Sequence, residues 1–177
     1  MKVTAGLKKG QILKVSKRGI RPTRGIIRQA IFNIIGERIQ DALVLDLFAG
    51  TGAFGIEALS RGARDCIFID KEPAIIIKNI QRLKLQTCSR IIAKDFRPAL
   101  KKLKNNEFDI IFIDPPYNTD YLPTALKLIQ NLRLLKDNGI IITERRAGII
   151  YKIPENYRIV KEKKYGDTEV DFIEKVF

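Results

Sequence analysis

The 177 residues contain no histidine and no tryptophan, two cysteines and a single methionine. Without histidine there is no His-based catalytic triad and no His-ligated zinc. Cys66 and Cys88 are too few and too separated to indicate a metal site, and Cys66, inside Cys66-Ile67-Phe68-Ile69, reads as a small core residue. No apolar run approaches the roughly 20 residues of a membrane span. The opening Met1-Lys2-Val3-Thr4-Ala5-Gly6 lacks the apolar centre of a signal peptide, so a cytoplasmic location is expected. There is no internal repeat, no low-complexity tract and no linker long enough to divide domains.

A chain of 177 residues fits one domain, long enough to bury a core without disulfides. Its net charge of +13 is unevenly spread. Residues 1–40 hold ten Lys and Arg against the acid Glu37, a net +9, whereas the other 137 residues carry only +4. A basic arm on a nearly balanced domain is the footprint of a polyanion partner. Lys8, Lys9, Arg18, Arg21, Arg24 and Arg28 are its candidate phosphate contacts. The bland alternative is a solvated, solubilising face. A lipid surface is the weaker reading, because the arm has no face built from Leu, Phe or Trp.

Residues 1–22 read as a short basic hairpin turning at Lys8-Lys9-Gly10, followed by the stiff linker Arg21-Pro22-Thr23. Helical spacing then places Ile27, Ile31, Ile34 and Ile35 on one face, with Thr23 as N-cap and Gly36 near the end. From Leu43, short apolar runs alternate with helical segments. Strands are predicted at 43–48, 66–70, 90–93, 108–114 and 139–144, and helices at 53–60, 73–85, 98–104 and 122–135. Ile110-Ile111-Phe112-Ile113 and Ile140-Ile141-Ile142 are apolar at successive positions, as in parallel strands buried on both faces. Repeated β-α-β order predicts an α/β fold with a parallel sheet and right-handed crossovers. Strands at 157–160, 163–166 and 169–177, without a long helix between the last two, predict a closing hairpin with its turn near Gly166-Asp167. Residues 23–177 are thus the core and 1–22 its arm.

Between the first strand and helix lies Asp46-Leu47-Phe48-Ala49-Gly50-Thr51-Gly52-Ala53-Phe54-Gly55. Glycines at 50, 52 and 55 permit positive φ and a close backbone approach to a ligand. The Gly-x-Gly-x-x-Gly spacing also fits a dinucleotide loop. Asp46 points instead to S-adenosylmethionine, since an acid there would meet an ammonium and repel a pyrophosphate. Asp70, with Lys71 beside it, ends the next strand where a carboxylate can accept ribose hydroxyls. Asp95 could accept from an adenine amino group, and Phe96 could cover the ring. Each acid has a simpler use as a loop or strand-end turn residue. Together, Asp46, Asp70, Asp95 and Asp114 fall at four strand ends on one edge of the sheet, where open α/β sheets bind ligands.

Asp114-Pro115-Pro116-Tyr117 follows the fourth core strand. Two prolines fix φ and donate no hydrogen bond, leaving carbonyls free to accept. A carboxylate, free carbonyls and an aromatic ring in one rigid turn could hold a planar group bearing NH₂. A strand-ending turn with a surface tyrosine is the plainer alternative.

Leu45-Asp46-Leu47-Phe48-Ala49-Gly50-Thr51-Gly52 with Gly55, Glu57-Ala58-Leu59-Ser60-Arg61-Gly62-Ala63, and Asp114-Pro115-Pro116-Tyr117 resemble class I methyltransferases. More narrowly, they resemble the RsmD family, the bacterial enzymes that methylate N2 of a guanine in small-subunit (16S) ribosomal RNA. Arg21-Pro22-Thr23 with Arg28, Phe32 and Asn33 is similar to that family's first helix, and Tyr165-Gly166-Asp167-Thr168 with Val170 and Phe172 to its closing hairpin. The resemblance implies a Rossmann-like sandwich with a mostly parallel seven-stranded sheet and an antiparallel last strand. It implies S-adenosylmethionine as methyl donor, with S-adenosylhomocysteine as product and no metal. The implied partner is ribosomal RNA, in the small subunit or an assembly intermediate, with no membrane; a monomer is expected. Asp114, Pro115, Pro116 and Tyr117 would be catalytic. Asp46, Phe48, Ala49, Gly50, Thr51, Gly52, Asp70, Lys71, Asp95 and Phe96 would hold the methyl donor. An adenine, cytosine or glutamine amino-group methyltransferase, a nicotinamide oxidoreductase and a non-catalytic RNA-binding protein on this scaffold are the competing readings.

Overall fold

The computed structural model describes residues 1–15, 23–117 and 119–176. The chain runs α1 (Thr23–Ile35), β1 (Leu43–Leu47), α2 (Ala53–Ser60), β2 (Asp65–Asp70), α3 (Ala74–Leu83), β3 (Ser89–Ala93), α4 (Phe96–Lys102), β4 (Phe108–Ile113), α5 (Tyr121–Asn131), β5 (Leu135–Arg146), β6 (Tyr157–Tyr165) and β7 (Thr168–Lys175). The seven strands form one sheet in the order β3-β2-β1-β4-β5-β7-β6. β1 to β5 pair in parallel, and β7 is antiparallel to both β5 and β6. This is the expected class I methyltransferase sheet with its antiparallel last strand.

The apolar runs cover both faces of the sheet. Val44, Phe68, Ile110, Phe112, Ile142 and Phe172 face α1, α2 and α3, while Leu45, Ile67, Ile111, Ile141 and Ile173 face α4 and α5. α1 buries Ile27, Ile31, Phe32 and Ile35, a helical stripe. Cys66 is buried, and burial pushes its thiol pKa up, so it is an inert core residue.

Three elements depart from the predicted ranges by more than two residues. α5 ends at Asn131 because Arg133 turns left-handed (φ 55°), yet the apolar period carries on into buried Leu134 and Leu135. The period alone therefore overshoots. β5 starts at Leu135 and runs on to Arg146, past the end of β4 at Ile113 but still paired with β7, where Arg146 lies opposite Thr168. The two predicted strands at 157–160 and 163–166 are one strand, β6, with a register shift between Ile159 and Lys161. β6 is a largely exposed edge strand, so it shows no apolar alternation, and its lysines protect an open sheet edge. The turn at Gly166-Asp167 stands where predicted, with Tyr165 opposite Thr168.

The basic hairpin is also present in outline. The Val3 N–H donates to the Gln11 carbonyl (3.0 Å) and the Leu13 N–H to that of Met1 (2.8 Å), with Val3 and Leu13 buried beneath. The hairpin is fastened to α2 by Glu57, which is fully buried. Glu57 accepts from Thr4 N (2.9 Å), Thr4 Oγ1 (2.5 Å), Ala5 N (3.0 Å), Arg61 Nε (2.9 Å) and Arg28 Nε (3.4 Å). Gly6 is held against the end of α2 so closely that a Cβ would lie 1.7 Å from the Ser60 carbonyl oxygen. Asn79 of α3 takes the other end of the hairpin, exchanging hydrogen bonds with Lys14 N (2.8 Å) and O (3.0 Å).

Replacing Glu57 by Ala would leave the buried Arg28 without its carboxylate, at a cost of about 3–5 kcal/mol. Urea denaturation of Glu57→Ala should show that loss in its midpoint; a change below about 1 kcal/mol would mean the hairpin is not fastened there.

Candidate active site

A cavity of about 610 Å³ opens at the carboxyl edge of the sheet, where β1, β2 and β4 end. Its wall includes Asp46, Phe48, Ala49, Gly50, Thr51, Asp70, Lys71, Phe96, Asp114, Pro115, Pro116 and Tyr117. Most of the residues singled out in the sequence are therefore brought to one place. The volume lies within the roughly 300–1,000 Å³ of small-molecule sites.

The loop after β1 is built by backbone contacts. The Ala49 N–H donates to the Ile69 carbonyl (3.1 Å), and the Gly50 N–H to Asp70 Oδ2 (2.7 Å). Asp70 Oδ1 accepts from the Glu72 N–H (2.8 Å). Asp70 thus shapes the loop while also lining the cavity. Phe48 adopts φ 64°, a left-handed conformation that is strained for a bulky side chain. Such strain is of order 1–3 kcal/mol. It is offset by two ring contacts, Phe96 at 4.9 Å and Tyr121 at 5.7 Å, each contributing about 0.5–1.5 kcal/mol. Arg97 lies over both Phe96 (4.5 Å) and Tyr121 (5.0 Å), extending the cluster.

Asp46 is 3% exposed and accepts from the Gly55 N–H through Oδ2 (2.9 Å). Burial pushes its pKa up to about 8, against the opposing hydrogen bond from Gly55, with Asp114 and Asp70 adding like charge. A buried carboxyl at the cavity wall that ionises only when compensated is suited to a cationic ligand group.

Four expectations are corrected. Arg28, expected among the phosphate contacts, is buried (2% exposed); its Nη2 donates to the Lys2 carbonyl (2.5 Å) and its Nε faces Glu57. It holds the hairpin to α2 and forms part of the cavity wall, and a surface phosphate cannot reach it. Asp95 does not line the cavity: it caps α4 by accepting from Arg97 N (2.9 Å) and pairs with Lys71 Nζ (2.9 Å), which holds its pKa below the usual range. Gly52 and Gly55 serve packing rather than ligand approach. Gly52 leads into α2 at φ 76°, with Ile56 and Ile76 3.3 Å from where a Cβ would stand. A Cβ on Gly55 would lie 2.3 Å from Phe68 Cε1 and 2.5 Å from Cys66 Sγ, so this glycine lets α2 press onto β2.

Lys8 and Lys9 stand at the hairpin tip, where the Lys8 N–H donates to Ser60 Oγ (2.9 Å). That is the end of α2 away from the cavity, roughly 10 Å along the helix. Arg18 and Arg21 lie outside the described residues, as does the side chain of Arg24.

Tyr121, Glu144, Lys94 and Phe54 also line the cavity and were missed in the sequence. Glu144 had a signal, since it follows the fifth strand run just as the four aspartates follow theirs. Tyr121, at the start of α5, had none.

The profile of the family described as conserved hypothetical protein 95 matches residues 1–174. A Bacillus subtilis protein provisionally named rRNA methyltransferase YlbH is 36% identical, over 99% of each chain. Ribosomal RNA small subunit methyltransferase D of Haemophilus influenzae is 33% identical, over 94% of this chain and 89% of its own. A solved Escherichia coli structure, provisionally named methyltransferase YhhF, superposes with a TM-score of 0.86 at 30% identity, covering 99% of this chain and 97% of that one.

The raised pKa of Asp46 has a signed consequence for stability. Unfolded, the carboxyl ionises near 3.9; folded, near 8. Its contribution is full below about pH 4 and is lost as pH rises through 8. Asp46→Asn keeps an acceptor for Gly55 and removes the titration. The stability of the variant relative to the parent should therefore improve between pH 5 and pH 8, by about 1.4 kcal/mol per pH unit at most. Equal differences in urea midpoint at the two pH values would show that Asp46 ionises normally.

Proposed function

This chain belongs to the family described as conserved hypothetical protein 95, and we propose that it transfers a methyl group from S-adenosylmethionine to the exocyclic N2 of a guanine in small-subunit ribosomal RNA. The observation that carries this reading is the meeting of the Phe48–Thr51 loop and the Asp114–Tyr117 turn in one cavity. The proposed setting is the cytoplasm, with the small subunit or an assembly intermediate as substrate.

The residues present fit the methyl donor. Asp46 supplies a buried carboxylate for its ammonium, and Asp70 keeps lone pairs for ribose hydroxyls beyond its two backbone bonds. The adenine would lie near Phe96 and Lys94, which line the wall on either side of Asp95. When bound, S-adenosylmethionine supplies an already activated sulfonium methyl.

The difficulty then lies with the nucleophile, since the guanine amino group is conjugated into its ring. In the proposed mechanism the Asp114 carboxylate and the Pro115 carbonyl accept the two amino hydrogens. This aims the nitrogen lone pair at the methyl carbon, and catalysis is mainly positioning plus electrostatic stabilisation of the developing positive charge. Asp114 takes the proton that leaves the nitrogen. Tyr117 stacks on the base after it is swung out of its helix. Lys8, Lys9, Arg18, Arg21 and Arg24 hold phosphates without reading sequence. The choice of guanine rests on the resemblance at the two ends of the chain. Incubation with labelled S-adenosylmethionine and unmodified small subunits, followed by mapping of the methylated nucleotide, tests it directly.

Asp114→Ala should bind S-adenosylhomocysteine within a few-fold of the parent and lose orders of magnitude in turnover; near-normal turnover would remove Asp114 from the chemistry. Replacing Lys8, Lys9, Arg18 and Arg21 should flatten the dependence of log K for RNA on log salt. An unchanged slope would show that RNA is held elsewhere.

A further inference from the structure

β5 pairs with β4 as far as Thr143 opposite Ile113, then continues to Arg146, leaving Glu144 in the cavity wall. The connection to β6 follows, with Ile149 48% exposed and Ile150 97% exposed at its tip. The flanking Arg146 and Lys152 are exposed too. Isolated exposed isoleucines are common and require no explanation. This pair is set apart by how its backbone is held.

Arg145, on the α4/α5 face of the sheet, donates from Nε to Asp171 Oδ2 (2.7 Å), from Nη2 to Glu162 Oε2 (2.8 Å) and from Nη1 to Glu169. Nη1 also donates to the Ile149 carbonyl (2.9 Å). Tyr151 donates its hydroxyl to Asp171 Oδ2 (2.7 Å), and its ring lies 5.6 Å from the guanidinium. Within the loop, the Ala147 N–H donates to the Asp167 carbonyl (2.8 Å) and the Ile149 N–H to that of Arg146 (3.2 Å). Asp171 is fully buried, so this cluster carries a desolvation cost that methyl transfer does not explain. Its effect is to fix the backbone on both sides of Ile150 while the Ile150 side chain stays in water.

The position of the tip gives this rigidity a use. Arg146 lies about 7 Å along the strand from Glu144, and the turn returns Ile149 to within about 7 Å of Arg146. The connection therefore leaves the sheet at the same carboxyl edge as the cavity, with Ile149 no more than about 14 Å from Glu144, a span that one bound RNA covers.

We propose that Ile150, backed by Ile149 and held by Arg145, is an apolar wedge that enters the RNA stack and fills the place of the base drawn into the cavity. Apolar side chains placed between bases unstack them in this way. Arg146 and Lys152 would meet the phosphates on either side, which favours nucleic acid over a protein partner at this tip. The inference rests on the proposed RNA methylation and adds the element that makes the base available.

The test uses the full chain, small subunits carrying the mapped target, and single-turnover methyl transfer. Ile150→Ala should slow transfer by about tenfold to a hundredfold, and Ile150→Leu should restore most of the rate. Because Ile150 is exposed, the melting temperature and the affinity for S-adenosylhomocysteine should not move. A second readout places 2-aminopurine at the target position of the RNA. Its fluorescence should rise on binding of the parent protein and stay low with Ile150→Ala, although both bind the RNA within a few-fold. A parental rate for Ile150→Ala, or a slowed rate with the fluorescence rise intact, overturns the wedge and leaves methyl transfer standing. A parental rate combined with loss of self-association in Ile150→Asp would assign the tip to contacts between copies of the chain, which also overturns it. An inactive parent protein removes the reading of the cavity itself, and the wedge with it.

Discussion

The buried carboxylate of Glu57 is the contact on which most of this arrangement depends. It gathers donors from the N-terminal hairpin, from α1 and from its own helix onto two oxygens. Taking Glu57 and Arg28 out of water is expensive, so the pair is a device for placing segments rather than a source of net stability. The helix that carries Glu57 begins at the loop lining the cavity and is pressed onto β2 through Gly55. Hairpin, helix and loop are thereby held as one body. The basic segment is fixed to the domain on both sides, at Glu57 and at Asn79, before any partner arrives.

The cavity is built on that frame by strand ends. Parallel strands stop at one edge, and each leaves a polar residue where the apolar run finishes. Burial then decides the character of each acid. Asp46 is enclosed and holds its proton to about pH 8, whereas Asp95, on the surface with Lys71 and Arg97, is held ionised. The strained Phe48 is tolerated because Phe96 and Tyr121 close on its ring. The same aromatic cluster covers one side of the cavity.

Much of this could be read directly from the residue order. The period-2 and period-3.6 patterns, the glycine spacing after β1 and the double proline after β4 are local features, and each placed its element within a few residues. Failures arose where local pattern and environment part company. β6 is exposed on nearly every residue and shows no apolar period, so it read as two strands. The stripe of α5 continues into buried Leu134 and Leu135, the latter already in β5, so the helix read too long. Arg28 was counted with the basic arm because its charge is visible in the sequence, whereas its partner Glu57 lies 29 residues away. Gly55 was read as allowing a ligand's close approach because its spacing matches a binding loop, although Phe68 and Cys66 account for it.

Residue order alone is sufficient for the parallel sheet, its antiparallel last strand, the loop after β1 and the rigid turn after β4. These follow from backbone geometry and short-range periodicity, which neighbouring residues dictate to one another. The division of labour among the charged residues belongs to the folded chain. Which arginine is buried, which aspartate keeps its proton, and which isoleucine is left in water at the cavity's edge of the sheet depend on solvent exclusion by segments distant in sequence. Thr4 meets Glu57 across 53 residues and Lys14 meets Asn79 across 65, and no local pattern carries information over that span.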